Sequence, residues 1–325
     1  MKASKRLALV LCALLCACLT CACGETGGQE EKRMKQLLSD PAFEYGFGVM
    51  DIMNTSGYKV VNTLDLLGKA KGDFKWRLAQ WGTKPENSFE QIEGAEAPDG
   101  AVRYENSGKL VEVYPGSGRI YLEVRAQNEY DAPRESMGMW PHLLIEEVFA
   151  DNGRSVSLGE ISSLNMELDF EIVKSIRHMT DEEYDAGLHC AQVSWYITLN
   201  STKPGVSDYI WFGLPLYDSR SEDRFNDGYT GIDKGTETGT GMLIYSLSSR
   251  NYLDSPVGVG NRKAFRIDIL PEIQRALDYA QNNGILLNHS IEDFRVGSMN
   301  LGWEVPGTYE CGLRINKIGI EYEQR

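Results

Sequence analysis

The sequence predicts an all-β protein, a two-sheet antiparallel β-sandwich of the jelly-roll type with one short helix near residues 271–282. Three observations lead to this prediction. Segments in which apolar and polar residues alternate recur from residue 119 to the end of the chain. Clusters of glycine, proline, asparagine and aspartate separate these segments, as turns require. Only one segment has a helical pattern, so the strand–helix alternation of parallel sheets is missing.

The predicted strands follow one another after residue 108. The clearest is 163–176, where the apolar side chains at every second position from Leu164 to Ile172 share one face. Residues 82–108 contain few apolar runs, and we expect a loop or the boundary of a smaller lobe there. The predicted strands are 119–125, 140–149, 163–176, 191–199, 208–217, 241–247, 264–270, 294–305 and 309–322.

The helical segment begins at Pro271, which is followed by an acidic residue, and Asn283-Gly284 ends it. Proline in the first turn and glycine just after the last turn are typical helix boundaries. Its apolar residues fall on one face of the helix: Ile273, Ala276, Leu277 and Ala280. We therefore expect this helix to cover an edge or an end of the sandwich.

The N-terminus has the pattern of an export signal. Lys2, Lys5 and Arg6 precede an apolar, uncharged run over residues 7–22. A helix needs about 20 apolar residues to cross a bilayer, so this run is too short to span one. Its length and charge are those of a secretory signal peptide.

The end of this run, Leu19-Thr20-Cys21-Ala22-Cys23-Gly24, resembles the lipobox of bacterial lipoproteins. The resemblance implies lipidation of Cys23 and location on the outer face of a bacterial membrane, at the cell surface. Cys18 is the alternative acceptor, and a cleaved signal without lipid is the alternative interpretation. The expected organisation is a signal peptide (1–22), a flexible tether (23–39) and a β-sandwich domain (40–325), with 40–108 as a candidate sub-lobe.

The charge and the cysteine content of the sequence argue against two classes of function, nucleic-acid binding and zinc binding. The formal net charge is −14, and a field of that sign disfavours nucleic acid as a partner. Of the seven cysteines, only Cys190 and Cys311 lie outside the N-terminal region. They can form a disulfide or remain two buried thiols. The four histidines are scattered and the folded part has no Cys-x-x-Cys pair, so we expect no zinc site.

The first candidate site is an acidic triplet on one predicted strand. Glu167, Asp169 and Glu171 alternate, so they share a face with successive spacings of about 7 Å. Acids so placed can supply a nucleophile, a neighbour that tunes its charge and a general acid, because repulsion raises one carboxyl pKa. The solvent face of an amphipathic strand produces the same pattern, which is the alternative.

The string Glu167-Leu168-Asp169-Phe170-Glu171 resembles the E-x-D-x-E signature of the laminarinase and lichenase glycoside hydrolases, which have a concanavalin-like jelly-roll fold. The resemblance implies that Glu167 is the nucleophile and Glu171 the acid/base, with Asp169 between them. The sequence departs from that family's pattern upstream. Asn165-Met166 stands where the family has a glycine before the first acid, and Trp140-Pro141 lies far back.

The second candidate site is aromatic. Flat rings stack on the apolar faces of sugars, and a neighbouring carboxylate accepts sugar hydroxyls. Core packing is the alternative for each ring. The candidate ligand-binding residues are Trp195, Trp211, Tyr217, Trp303 and Glu304.

The third candidate is the acidic, glycine-rich segment 218–241. Oxygen-rich loops can hold Ca²⁺, although this spacing matches no EF-hand. A solvated loop over a binding face is the alternative. The candidate calcium ligands are Asp218, Asp223, Asp227 and Asp233; no other cofactor is expected.

These observations favour a cell-surface lipoprotein that binds a carbohydrate or polysaccharide by aromatic stacking and contacts the membrane only through its lipid. A glycoside hydrolase using Glu167 and Glu171 is the first alternative. A structural or adhesive surface protein is the second. The sequence contains no Walker loop, HExxH motif or dinucleotide-binding fingerprint.

Overall fold

Two β-sheets and one α-helix are formed by residues 34–53, 59–233 and 240–325, which the computed structural model describes. We number the strands along the chain. Residues 34–325 belong to one compact unit wherever they are described. Among them, no helix is long and apolar enough to cross a membrane.

The first sheet, sheet A, is built around two long antiparallel strands. Its spatial order is β15 (Arg262–Asp268), β10 (Ile161–Arg177), β17 (Tyr309–Gln324), β8 (Arg119–Arg125), β7 (Lys109–Tyr114), β6 (Val102–Glu105) and β5 (Gly94–Glu96), and β1 (Lys35–Gln36) also pairs with β17.

The second sheet, sheet B, carries the candidate site. Its spatial order is β13 (Tyr229–Ile232), β14 (Leu243–Ser246), β12 (Tyr209–Asp218), β11 (Gln192–Ser201), β16 (Phe294–Glu304), β9 (His142–Val148), β4 (Trp76–Ala79), β2 (Phe47–Met50) and β3 (Val60–Leu64). Its pairings are antiparallel except β12 with β14 and β2 with β4, which are parallel.

The core lies between the sheets. On β10, every second side chain from Leu164 to Ile172 is buried, as the alternation predicts. Trp303 on β16 links the two sheets, because its indole Nε1 donates to the carbonyl oxygen of Leu122 on β8 at 3.1 Å. Each sheet thus has one buried inner face and one outer face that carries polar residues.

The helix α1 (Leu270–Asn282) packs against β10 with the predicted apolar face buried. Proline occupies its first turn, and Gly284 after its end has a φ of +77°, a conformation that favours glycine. The predicted helix and the predicted β-sandwich class are confirmed. The nine strands predicted after residue 108 have observed ends within two residues of the prediction.

Two N-terminal expectations need correction. Part of the predicted tether belongs to the fold, since β1 pairs with β17 and Leu37 and Leu38 are buried. The expected loop at 82–108 contains β5 and β6, which extend sheet A. Both are short strands at a sheet margin, and their few apolar residues gave little periodic signal. The signal peptide and Cys23 lie outside the described residues.

Cys190 and Cys311 are free thiols, both buried. Burial raises the pKa of the Cys190 thiol to about 12 and raises that of Cys311 as well. Both therefore stay protonated at neutral pH and behave as small apolar residues.

Candidate functional site

A groove of about 780 Å³ lies on the outer face of sheet B. Its floor comes from β11, β12 and β14, and the segment 218–229 forms one wall. Nine polar and five aromatic residues line it, together with Ala186 and Pro215. A concave site with a few polar groups around ring surfaces is the usual setting for small-molecule recognition.

Tyr196 forms the centre of the floor. A β-carbon added to Gly213 on the neighbouring strand would lie 2.3 Å from its Cε1, so the ring lies directly over that glycine. Its hydroxyl reaches Ser246 Oγ on β14 at 3.3 Å. Burial raises the pKa of Tyr196 to about 12, so the hydroxyl stays protonated. The ring of Tyr196 therefore lies across strand β12, and the contact of its hydroxyl with Ser246 holds it in place.

Two further tyrosines and a tryptophan extend this aromatic surface. Trp211 meets Tyr196 edge to face with ring centroids 6.1 Å apart, and Tyr209 meets Trp211 in the same way at 5.6 Å. Tyr229 lines the groove at its margin and is 55% exposed. The surface therefore offers rings at more than one position along the groove.

The wall at 218–229 is held by its own polar network. Arg220 Nε and Nη2 donate to the Asp218 carboxylate at 2.9 and 2.5 Å, and Arg220 Nη1 donates to Ala186 O at 3.1 Å. Ser221 Oγ donates to Asn226 Oδ1 at 2.6 Å, and the backbone N–H of Asn226 donates to Ser249 Oγ at 2.9 Å. This network gives the wall a defined shape beside the floor.

Groups that can bind hydroxyls project from this wall. Arg224 and Asp227 line the groove, and the Arg224 guanidinium donates to a backbone carbonyl, Arg220 O, at 3.4 Å. Phe225 also lines the groove, and the guanidinium carbon of Arg250 lies 4.5 Å from the centroid of its ring. Gln192 and Ser194 on β11 face the wall from the floor.

The structure places the predicted aromatic residues in two different environments, the core and the outer face of sheet B. Trp195, Trp303 and Tyr217 are at most 1% exposed and belong to the core, although Tyr217 also borders the groove from below. A ring enclosed in this way has no free face for a sugar, so these three residues do not form a stacking surface. Trp211 does lie on the outer face of sheet B beside Tyr196. The sequence could not separate the two groups because each apolar side chain fits either place.

Glu304 lies on the same outer face at the end of β16. Gln192 Nε2 and Trp140 Nε1 donate to its Oε2 at 3.4 and 3.3 Å, and His142 Nε2 lies 3.7 Å from it. Because Gln192 lines the groove, Glu304 lies behind this part of the floor. Its carboxylate orients Gln192 and is held by Trp140.

The acidic triplet lies on the other sheet. Glu167, Asp169 and Glu171 point outward from sheet A, and each is paired with a basic residue. Arg262 grips Asp169 through two hydrogen bonds and holds the pKa of that carboxyl below its usual range. A general acid needs the opposite shift. The structure therefore places this triplet in an ion-paired surface remote from the groove.

The four candidate calcium ligands do not form a cluster. Asp218 is engaged by Arg220, and Asp233 accepts hydrogen bonds from Thr240 N and Oγ1 at 2.8 and 2.7 Å. Asp227 lines the groove, and Asp223 is exposed. Over the described residues, no three His, Cys, Asp or Glu side chains are grouped so that they could hold a metal ion.

Two residues of this face are not among the predicted site residues. Strand alternation places Trp195 and Tyr196 on opposite faces, so the prediction of Trp195 as the ligand-binding ring left Tyr196 out. Glu146 on β9 is only 8% exposed, and burial raises its pKa to about 7. It lies in the apolar run 140–149, whose pattern does not indicate an unusual carboxyl group.

Comparison with known proteins gives a likeness of overall fold. No protein-family profile and no curated protein matches the sequence. Among solved structures, a family 12 xyloglucanase from Bacillus licheniformis is 12% identical, with a TM-score of 0.43 over 71% of this chain and 97% of that one. A cellulase derived from a Rhodothermus marinus enzyme is 14% identical, with a TM-score of 0.39 over 72% and 97%.

A family 11 xylanase from Neocallimastix patriciarum is 9% identical, with a TM-score of 0.36 over 71% of this chain and 95% of that one. At these values the likeness concerns the sandwich architecture alone. Fold does not determine function, which depends on the residues of a site.

Proposed function

We propose that the protein binds carbohydrate at the cell surface, with a sugar ring stacked on Tyr196 in the groove of sheet B. The lipid at Cys23 anchors it to the outer face of a bacterial membrane. The observation that supports binding most directly is the position of the Tyr196 ring, laid over Gly213 on the floor of an open groove with polar walls.

The groups around this ring suit a sugar. A pyranose has apolar faces that stack on an aromatic ring, and hydroxyls around its edge that need both donors and acceptors. Arg224 supplies donors, Asp227 supplies acceptors, and Gln192 supplies both. Trp211 and Tyr229 provide further ring surface on either side.

A glycan-array screen of the purified protein tests this proposal. We expect binding to a defined set of glycans, weakened by about 1–3 kcal/mol in Tyr196→Ala, by analogy with the stacking of bases on aromatic rings. Tyr279→Ala is the matched control, since Tyr279 is an exposed tyrosine on α1 that does not line the groove. Absence of glycan binding, with an intact fold, favours the structural or adhesive alternative.

A glycoside hydrolase is the second candidate, and Glu146 is the observation in its favour. A carboxyl group with a pKa of about 7 on the groove face has the protonation that a general acid needs. Glu304 is a second carboxylate on the outer face of sheet B, and its strand position pairs with His142, four residues before Glu146 on β9.

The backbone spacing does not favour glycoside hydrolysis. Four strand residues put the two backbone positions about 13 Å apart, so the side chains would have to lean toward each other to bring their carboxyl groups to the separation of about 5–9.5 Å that these enzymes use. The geometry therefore supports binding better than catalysis. If the wild-type protein released reducing sugar from a polysaccharide and Glu146→Gln did not, the hydrolase function would be favoured over binding alone.

A further inference from the structure

The outer face of sheet B continues past the groove in a line set by the strand register. Tyr196 on β11 pairs with Asn300 on β16, and Asn300 pairs with Glu146 on β9. Residues directly opposite each other in antiparallel strands share a face. With neighbouring strands about 4.8 Å apart, the backbone of Glu146 lies about 10 Å from that of Tyr196.

At the end of this line lie the polar side chains of Asn300, which is half-buried, and Glu146, which is nearly buried. Glu146 is 8% exposed, and its carboxyl group makes no hydrogen bond to another described residue; its one charged neighbour is Arg77, opposite it on β4. The Asn300 carboxamide likewise has no partner among the described side chains and backbone groups. Neither residue is among the fully buried polar side chains that lack a partner, so both reach solvent and can hydrogen-bond to water or to a ligand.

We infer that Asn300 and Glu146 form a second sugar subsite beside the Tyr196 subsite, so that the preferred ligand is an oligosaccharide. This inference rests on the proposed carbohydrate function. The two subsites differ in character. Tyr196 offers a ring surface, whereas the half-buried Asn300 and the nearly buried Glu146 offer hydrogen-bonding groups.

The chemistry of the second subsite fits sugar hydroxyls. The Asn300 carboxamide both donates and accepts, and a protonated Glu146 carboxyl does the same. Arg77 is engaged by Asp151 at 2.6 Å, which holds its guanidinium at the edge of this subsite. A hydroxyl pair bound there would replace water on both groups without leaving either unpaired.

Calorimetric titration with matched short and long sugars tests the inference. The panel pairs glucose with cellotetraose, xylose with xylotetraose, mannose with mannotetraose and N-acetylglucosamine with chitotetraose. For the series that binds, we expect Asn300→Ala to weaken the tetrasaccharide about tenfold or more and the monosaccharide less than twofold. Tyr196→Ala should weaken both.

Two further variants keep the result interpretable. If Asn300→Ala fails to fold, Glu146→Leu removes the other polar group of the second subsite. The melting temperature of each variant shows whether it is folded. The matched control is Arg295→Ala, because Arg295 is an exposed residue on β16, the strand that carries Asn300. No binding of any panel member by the wild-type protein would overturn the proposed function. Equal weakening of both sugar lengths, or none, would overturn the second subsite alone.

Discussion

The ring of Tyr196 lies over Gly213, and a β-carbon at position 213 would come within 2.3 Å of its Cε1. The glycine is therefore the reason that the tyrosine can lie across β12 and expose a ring face to the groove. Because the contact joins neighbouring central strands, the position of the ring is fixed by the sheet itself.

Gly213→Ala should displace the Tyr196 ring and weaken glycan binding about as much as Tyr196→Ala does, by about 1–3 kcal/mol. Binding is measured by calorimetry against the best glycan from the array. Gly138→Ala is the control, since a β-carbon there meets no atom within 4 Å. Unchanged affinity in a folded Gly213→Ala protein would show that the ring is not the binding surface.

Trp303→Ala should destabilise the fold and leave binding by the folded protein unchanged. The ring is fully buried and its Nε1 bonds to Leu122 across the sandwich, and truncation of a core tryptophan costs about 3–5 kcal/mol. Urea unfolding and calorimetry at a temperature where the variant is folded measure the two effects. If Trp303→Ala instead lost glycan affinity and kept the wild-type stability, Trp303 would belong to the binding surface.

Glu146 should make stability fall as pH rises from about 4.5 to about 7. The folded protein keeps this proton up to a pKa of about 7, whereas the unfolded chain loses it near 4.5. The decrease amounts to at most about 3.5 kcal/mol, since the pKa differs by about 2.5 units (from 4.5 to about 7) and one unit corresponds to about 1.4 kcal/mol. Glu146→Gln cannot ionise, so this part of the pH dependence should disappear.

The measurement is urea unfolding of both proteins at pH 4.5 and pH 8, with the exposed Glu96→Gln as control. The stability of Glu146→Gln relative to wild type should rise between these pH values. An equal difference at both values would mean that Glu146 titrates normally.

Lys109→Ala should destabilise the protein by about 3–5 kcal/mol, because it leaves Glu129 buried without its counter-ion. The ammonium lies 3.7 Å from Glu129 Oε1 and donates to Asn87 O at 2.6 Å, and burial lowers its pKa to about 8. In a double-mutant cycle, Lys109→Met combined with Glu129→Gln should cost less than the sum of the single changes. Additive costs would mean that the pair is not coupled.

Cys23→Ala should abolish lipid attachment, because the acceptor thiol is gone. Metabolic labelling with a fatty-acid analogue measures this, and Cys18→Ala is the matched control that should label normally. Undiminished labelling of Cys23→Ala, with loss in Cys18→Ala, would move the attachment site to Cys18.

The β-sandwich and its helix could be predicted from local sequence patterns. Alternation along β10 predicted a buried face from Leu164 to Ile172, because successive side chains of a strand point to opposite sides. The start of α1 at proline and its end before Gly284 were equally local, since each depends on the backbone conformation of one or two residues.

The face that carries the proposed site depends on the tertiary structure. The acids at 167–171 and the rings of Trp195 and Trp303 have the composition of a sugar site, yet the first are ion-paired on sheet A and the others are in the core. Tyr196, Asn300 and Glu146 are far apart in the chain and meet only through the register of β11, β16 and β9. Strand order is set by long-range packing, which alternation along a single strand does not encode.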